Sequence, residues 1–185
     1  MNLVFMLEEQ SAKNLLDIIL PKILPPEVQF QTIRHRGKDD LRLSLPRKLR
    51  GWLAPNTRFV VVHDQDYNLC ETLKADLQTI CRQAGRDDVI VRIVCQELEA
   101  WYFGDLEAVE QAFPGNRVQQ LAGKRAYRDP DAIHKPSKEL ERLVPGFHKG
   151  VASQTIPNFM AIDQNRSRSF QIFINAVRNL CGVTQ

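Results

Sequence analysis

The sequence predicts an α/β fold of the three-layer, Rossmann-like kind, with a four-stranded, mainly parallel sheet and helices on both faces. Two observations predict this fold. Four short apolar runs alternate with segments of helical periodicity, which is the order of parallel strands joined by right-handed crossovers. The run from Arg58 to Val62 also contains three consecutive valines, as expected of a strand that is buried on both faces.

The first two strands differ in the burial that their patterns predict. Residues 2–7 are apolar throughout, which suits a central strand, and a helix follows that Ser11 is expected to cap and that Pro25-Pro26 ends. Residues 28–35 instead alternate between apolar and polar side chains. This second strand should therefore lie near an edge of the sheet.

The elements around the third and fourth strands continue the alternation. Asp39 or Asp40 is expected to cap a short helix that Pro46 kinks or restarts. After the valine-rich strand, residues 67–84 show helical periodicity, and residues 89–95 are rich in β-branched side chains. Together these segments complete the predicted sheet.

The chain is expected to form a single domain over residues 1–185, with its core in about 1–113. Residues 114–164 hold five of the ten prolines and little periodicity, which indicates a partly irregular elaboration laid over the sheet. We expect one short helix there, at about residues 137–143. A helix with an apolar stripe, at about residues 166–181, closes the chain.

Composition excludes several classes of protein. No apolar run approaches the roughly 20 residues of a membrane span, and two glutamates rather than a cleavage site follow the apolar N-terminal segment. We therefore expect a cytoplasmic protein without membrane association. The four cysteines show no C-x-x-C spacing, which disfavours zinc ribbons and disulfide frameworks. A net charge of +3 is too small to indicate a polyanionic partner by itself.

Acidic residues follow three of the four predicted strands. Because parallel strands end at the same edge of a sheet, these carboxylates should converge in the crevice where open α/β sheets bind ligands. Like charges repel there unless a cation neutralises them, and oxygen ligands without paired histidine or cysteine favour Mg²⁺ or Mn²⁺. The predicted metal ligands are Glu8 and Glu9, Asp64 and Asp66, and Glu97 and Glu99.

Each acidic pair also has a structural explanation. Glu8-Glu9 can compensate the dipole of the following helix, and Glu97-x-Glu99 can start a helix. An isolated D-x-D after a strand is common. Acidic residues after three strands of one sheet are less common than acidic residues after a single strand. Their joint occurrence favours a metal-binding active site.

The order of these strands and acidic motifs resembles that of a known type of domain. A strand followed by Glu8-Glu9-Gln10-Ser11, and a later strand followed by Asp64-Gln65-Asp66, resemble the TOPRIM domain of topoisomerases, primases and OLD-type nucleases. Along nearly its whole length the chain also resembles a small bacterial family of TOPRIM-like proteins of unknown function, often encoded beside ATPases. The stretches that carry this second resemblance are residues 5–9 with 11–13, 37–41, 97–101, 128–131 and 165–170.

The resemblance implies a TOPRIM fold in which the first and third strands are neighbours, with Glu8, Asp64 and Asp66 around one metal ion. Two features depart from the pattern. Glu9 stands where many TOPRIM domains have glycine, and no tyrosine is placed for a covalent link to DNA, since Tyr67 is merely adjacent. Topoisomerase activity is therefore disfavoured.

The leading hypothesis is Mg²⁺- or Mn²⁺-dependent hydrolysis of nucleic-acid phosphodiester bonds, in a nuclease that belongs to a defence or toxin-type system with an ATPase. The residues expected to act in catalysis are Glu8, Asp64, Asp66, Glu97 and Glu99.

Basic residues near the same edge are expected to bind the substrate phosphates. Lys38 follows the second strand, and Arg166, Ser167 and Arg168 open the last helix, whose N-terminal N–H groups favour a phosphate. Lys149 belongs to a segment shared with the resembling family. Ser167 could instead only cap its helix, and Lys149 could be an ordinary surface lysine.

Two other classes of function stay open. The protein could be a non-catalytic partner of an ATPase that recognises nucleic acid or protein. It could also be a Mg²⁺-dependent phosphatase or phosphotransferase with Asp64 as phospho-acceptor, although such a site needs a lysine at a later strand end and none follows Cys95. The sequence does not separate DNA from RNA substrates.

Overall fold

A computed structural model describes residues 1–182, in which one parallel sheet lies between two layers of helices. The strands are β1 (Asn2–Leu7), β2 (Gln29–Arg34), β3 (Thr57–Asp64) and β4 (Ile90–Val94). The helices are α1 (Gln10–Ile23), α2 (Lys38–Arg50), α3 (Cys70–Gln83), α4 (Ala100–Phe103), α5 (Leu106–Ala112), α6 (Pro136–Leu143), α7 (Lys149–Phe159) and α8 (Arg168–Leu180).

The strands lie in the order β2-β1-β3-β4, and every neighbouring pair is parallel. β1 and β3 are the central strands, and in their register Leu7 lies opposite Val62. The apolar runs are buried because helices cover both faces of the sheet. The predicted α/β fold is thus confirmed, as are the pairing of the first and third strands and the edge position of the second.

The two faces of the sheet contact different helices. Alternate residues such as Val4 and Val61 pack with the apolar faces of α2 and α3. The residues between them, such as Phe5 and Val60, pack with α1, α8 and the segment that joins β4 to α8. One layer therefore holds α2 and α3, and the other holds α1 together with the helices that follow β4.

The region expected to be irregular contains a helix that the sequence analysis missed. α7 has a glycine at its second residue, Gly150, and a proline near its end, Pro157, which mask its periodicity. It packs along α1, where Asn14 Nδ2 donates to Ser153 Oγ at 3.0 Å and Lys22 Nζ donates to the Pro157 carbonyl at 2.7 Å. Tertiary contacts with α1 therefore compensate for weak local propensity.

The expected helix caps were also wrong. Ser11 lies inside α1, at its second residue, and donates its hydroxyl hydrogen bond to the Glu9 carboxylate. The N-cap of α2 is Gly37, at φ 94°, where a side chain would be strained. Asp40 Oδ2 accepts from the Arg36 backbone N–H at 2.9 Å, so it orders the approach to α2 from inside its first turn.

Buried polar contacts lock the start of α8 onto α4. Trp101 Nε1 donates to Ser169 Oγ at 2.9 Å, and Asn165 Nδ2 donates to the Trp101 carbonyl at 2.9 Å. Gly104 lies directly against Asn165, with no space for a side chain. This segment is therefore part of the core.

No helix within residues 1–182 is long and apolar enough to cross a membrane. The four cysteines, all of which lie in the described part of the chain, are free thiols.

Replacing Gly104 by alanine should destabilise the fold, because the new Cβ would collide with the Asn165 side chain and lie 2.9 Å from the Ser167 backbone nitrogen. We expect Gly104→Ala to lower the free energy of unfolding by about 1–3 kcal/mol. Urea denaturation followed by circular dichroism measures this. Gly123→Ala is the matched control, because a Cβ there meets nothing within 4 Å. Equal stability of the two variants would contradict the packing described.

Candidate metal centre

The ends of β1 and β3 bring two carboxylates together, as the parallel order requires. Glu8 follows β1 directly, and its Oε2 accepts a hydrogen bond from the Asp64 backbone N–H at 3.3 Å. Asp64, the last residue of β3, accepts through Oδ2 from the Leu98 N–H at 3.3 Å. Asp64 therefore links the central strand pair to the segment that follows β4.

His63 is a buried residue that contacts the Glu8 carboxylate. Its imidazole is 1% exposed, and Nδ1 lies 3.2 Å from Glu8 Oε2 and 2.6 Å from the Asp64 carbonyl oxygen. Its Nε2 is buried without a hydrogen-bond partner among the described residues. The sequence indicated only that His63 packs in or beside its strand. Because side chains alternate along a strand, His63 and Asp64 point to opposite faces of β3, and on its own face His63 reaches Glu8.

Glu99 is the most deeply buried carboxylate at this edge, with its side chain only 1% exposed. Neither carboxylate oxygen has a hydrogen-bond partner in the described chain, although Lys149 Nζ lies 3.4 Å from Oε2 as an ion pair. Burial raises the pKa of Glu99 from 4.5 to about 7, and Lys149 opposes that rise. The Glu99 carboxylate is therefore held here without the hydrogen-bond donors that usually stabilise its ionised form.

We call Glu8, Glu9, Asp64 and Glu99 the acidic cluster, because the charges of the three glutamates all raise the pKa of Asp64. The pKa of Asp64 is well above its ordinary value because of burial, and Glu99, Glu8 and Glu9 add to the shift. The pKa of Glu8 is also raised, mainly by burial. The cluster thus holds excess negative charge in a site with little solvent.

Lys149, the first residue of α7, supplies the nearest positive charge to this cluster. Burial lowers its pKa, but Glu99, Glu9, Glu97 and Asp64 together raise it above the ordinary value. Its ammonium therefore faces carboxylates from three strand ends.

Tyr102, in α4, is a further buried group at this site. Its hydroxyl has no hydrogen-bond partner within residues 1–182, and its pKa is well above the ordinary value because of burial and of Glu99, Glu9 and Asp64. The sequence analysis did not select Tyr102. The only signal was its position three residues after Glu99, on the same side of the turn that leads into α4.

The other two predicted carboxylates lie at the margin of the cluster and have their own partners. Asp66 adopts φ 50°, and its Oδ2 contacts Lys38 Nζ at 3.2 Å. Glu97 Oε2 accepts from the Ser137 backbone N–H in the first turn of α6, at 3.0 Å. A lysine and a helix N-terminus thus neutralise the two outer carboxylates.

Across residues 1–182, no three histidine, cysteine, aspartate or glutamate side chains are placed so that they could hold a metal ion as they stand. The partners just described account for this arrangement. Lys149 lies against Glu99, Lys38 against Asp66 and His63 against Glu8. The chain's own cations and imidazole occupy the nearest positions to three of the carboxylates.

The remaining predicted substrate residues have structural contacts away from the cluster. The Arg166 guanidinium donates to four backbone carbonyls, the closest being Phe103 O at 2.9 Å. Ser167 is the N-cap of α8 and accepts from the Phe170 N–H, as the capping alternative predicted. Arg168 is exposed and lines a different cavity. Phosphate binding by these three residues stays a prediction.

Comparison with known proteins gives one match. Residues 7–178 match the family described as "Domain of unknown function (DUF4276)". No curated protein and no solved structure matches the chain.

Replacing Glu99 by glutamine should stabilise the protein at alkaline pH. Because burial raises the pKa of Glu99 from 4.5 to about 7, its protonated form is favoured in the fold, and stability falls as pH rises through that window. Relative to the parent, Glu99→Gln should gain up to roughly 3 kcal/mol between about pH 5 and pH 8. Urea denaturation at both pH values measures the gain.

The exposed carboxylate of Glu107 provides the control, since Glu107→Gln should leave the pH dependence unchanged. If Glu99→Gln is destabilising to the same extent at both pH values, the Glu99 carboxylate has a structural role instead.

Proposed function

The chain belongs to the DUF4276 family, and we propose that its chemistry is divalent-cation-dependent hydrolysis of nucleic-acid phosphodiester bonds. One observation carries the proposal. The Glu99 carboxylate is buried beside the other acids of the cluster, and both of its oxygens lack hydrogen bonds in the described chain. A buried carboxylate without donors is strongly disfavoured unless a cation neutralises it, and Lys149 offsets only part of that cost, because the pKa of Glu99 is still raised to about 7.

The donor set suits Mg²⁺ or Mn²⁺. Glu8, Asp64 and Glu99 offer carboxylate oxygens only, and these are the ligands that hard divalent cations prefer. Glu9 is a further carboxylate at this edge, since its charge raises the pKa of both Asp64 and Glu99. Asp66 and Glu97 would join the set only after releasing Lys38 and the α6 N-terminus. A cation bound there supplies a Lewis acid for a phosphoryl oxygen and activates water.

The chain's own residues then divide the remaining tasks. His63 orients Glu8 through its 3.2 Å contact and keeps that carboxylate at the edge of the sheet. Lys149 and Lys38 are both partly exposed, at 40% and 51% of their side chains, so they can turn towards a bound phosphate when a cation replaces them at the carboxylates. The buried Tyr102 hydroxyl has no hydrogen-bond partner within residues 1–182, so it is available to donate to Glu99 or to a water beside it.

We further propose that the chain is related to TOPRIM domains. Two features support the relationship: β1 and β3 are parallel neighbours, and Glu8 and Asp64 contact each other at their ends. On the basis of this relationship we also propose an ATPase partner and a role in a defence or toxin-type system. Localisation in the cytoplasm stays a proposal alongside them.

Nuclease activity should depend on Asp64. In Mn²⁺, the parent protein should cleave at least one of four substrates, single- and double-stranded DNA and RNA, and Asp64→Asn should reduce the rate at least about 100-fold. Asp66→Asn should reduce it less, since Asp66 lies at the margin and asparagine tolerates its positive φ. Gel electrophoresis of labelled substrates measures the rates.

Glu107→Gln serves as the activity control. Binding of nucleic acid without cleavage, unaffected by Mn²⁺ and by Asp64→Asn, would favour the non-catalytic alternative. Release of phosphate from small phosphomonoesters, with intact nucleic acid, would favour the phosphatase.

Lys149 should compete with the divalent cation. Lys149→Met removes the positive charge 3.4 Å from Glu99 Oε2, so Mn²⁺ affinity by calorimetric titration should rise about tenfold. Cleavage should nevertheless slow, because the lysine is also expected to contact the substrate phosphate. Lys138→Met, at an exposed position in α6, is the control. Weaker Mn²⁺ binding by Lys149→Met would contradict the competition.

A further inference from the structure

A second cavity lies at the open edge of the sheet, beside β4. It has a volume of about 480 Å³ and shares no lining residue with the acidic cluster. β4 pairs only with β3 in the described chain, so its outer edge forms the floor. The first turns of α3 and α8 form the two walls, and cavities of this size accommodate small organic ligands.

Three cations line this cavity, and none of them forms an ion pair within residues 1–182. They are Lys74 on α3, Arg92 on β4 and Arg168 on α8. The Arg92 side chain is half-buried, and its only hydrogen bond to residues 1–182 goes from Nη1 to the Val91 carbonyl at 3.0 Å. Its Nε is inaccessible to solvent and has no partner in the described chain. An arginine whose role is only to prevent pairing of an edge strand with another chain would instead project into water.

The acidic residues at the cavity do not neutralise these cations. Asp131 forms no ion pair with them within residues 1–182, and its carboxylate instead accepts from the Ser167 hydroxyl, the Ser169 hydroxyl and the Ser169 N–H, at 2.6–3.0 Å. Glu71 is exposed on α3 and forms no ion pair in residues 1–182. α3 also lacks a side-chain N-cap, and Glu71 is the acidic residue in its first turn, at the cavity wall.

The rest of the lining is mainly apolar, apart from the Ser169 hydroxyl and the thiols of Cys70 and Cys95. Val91 and Ile93 belong to β4, and Ile172, on α8, leaves 46% of its surface exposed. An apolar floor with unpaired cations around it matches a ligand that has both an apolar body and an anionic group.

We propose that the cavity beside β4 binds a small amphiphilic anion. Its apolar ring or chain packs against Val91, Ile93 and Ile172, and its carboxylate or phosphate contacts Arg92 together with Lys74 and Arg168. This inference is independent of the metal-dependent chemistry proposed above, because the two sites share no residue and have opposite charge.

Two fluorescent probes that differ only in charge test the proposal on the intact protein. Anilinonaphthalene sulfonate carries a sulfonate, and phenylnaphthylamine has the same rings without it. The sulfonate dye should bind one equivalent per chain with saturation. Arg92→Met should weaken its binding about tenfold, because the charge-assisted hydrogen bond between the guanidinium and the sulfonate is lost. Binding of the uncharged dye should be unaffected. Ile172→Trp should weaken both dyes by filling the cavity.

Arg50→Met, at an exposed position that ends α2, is the matched control for lost charge. Phenyl phosphate and phenylacetate then compete with the dye, and displacement by one of them identifies the preferred head group. The proposal is overturned if the dye does not saturate, if Arg92→Met and Arg50→Met behave alike, or if neither competitor displaces it. Circular dichroism of each variant verifies that it is folded.

Discussion

Repulsion among the carboxylates at one end of the sheet is the constraint on which the other features of the site depend. The β1–β3 pairing fixes Glu8 beside Asp64, and the turn into α4 adds Glu99 in a position that water does not solvate. Burial and repulsion from Glu99, Glu8 and Glu9 raise the pKa of Asp64, and burial with Glu9 and Glu97 raises that of Glu99. A fold that keeps such a cluster needs positive charge at the same place.

The segments added around the sheet supply that charge. α7 packs along α1 and thereby brings Lys149 to Glu99, and the turn before α2 brings Lys38 to Asp66. The N-terminus of α6 neutralises Glu97. The elaboration after β4 therefore completes the site electrostatically as well as covering one face of the sheet. The cavity beside β4 shows the reverse arrangement, with three cations that form no ion pair within residues 1–182.

Sequence patterns predicted the parts of this account that depend on local order. Apolar runs located the strands, and parallel order alone requires Glu8 and Asp64 to share an edge. The missed features depend on tertiary contacts. Gly150 and Pro157 mask α7, whose stability comes from α1. The roles of His63 and Tyr102 follow from burial beside carboxylates distant in sequence, and the carbonyl contacts of Arg166 have no local signature.

The central claim is that the acidic cluster exists to hold a divalent cation. Anomalous diffraction from crystals soaked in Mn²⁺ tests it most directly. The account predicts an anomalous peak within coordination distance of carboxylate oxygens from Glu8, Asp64 and Glu99, with the Lys149 ammonium displaced from Glu99. A map with no peak at the cluster, and with Lys149 still paired to Glu99, would contradict the account.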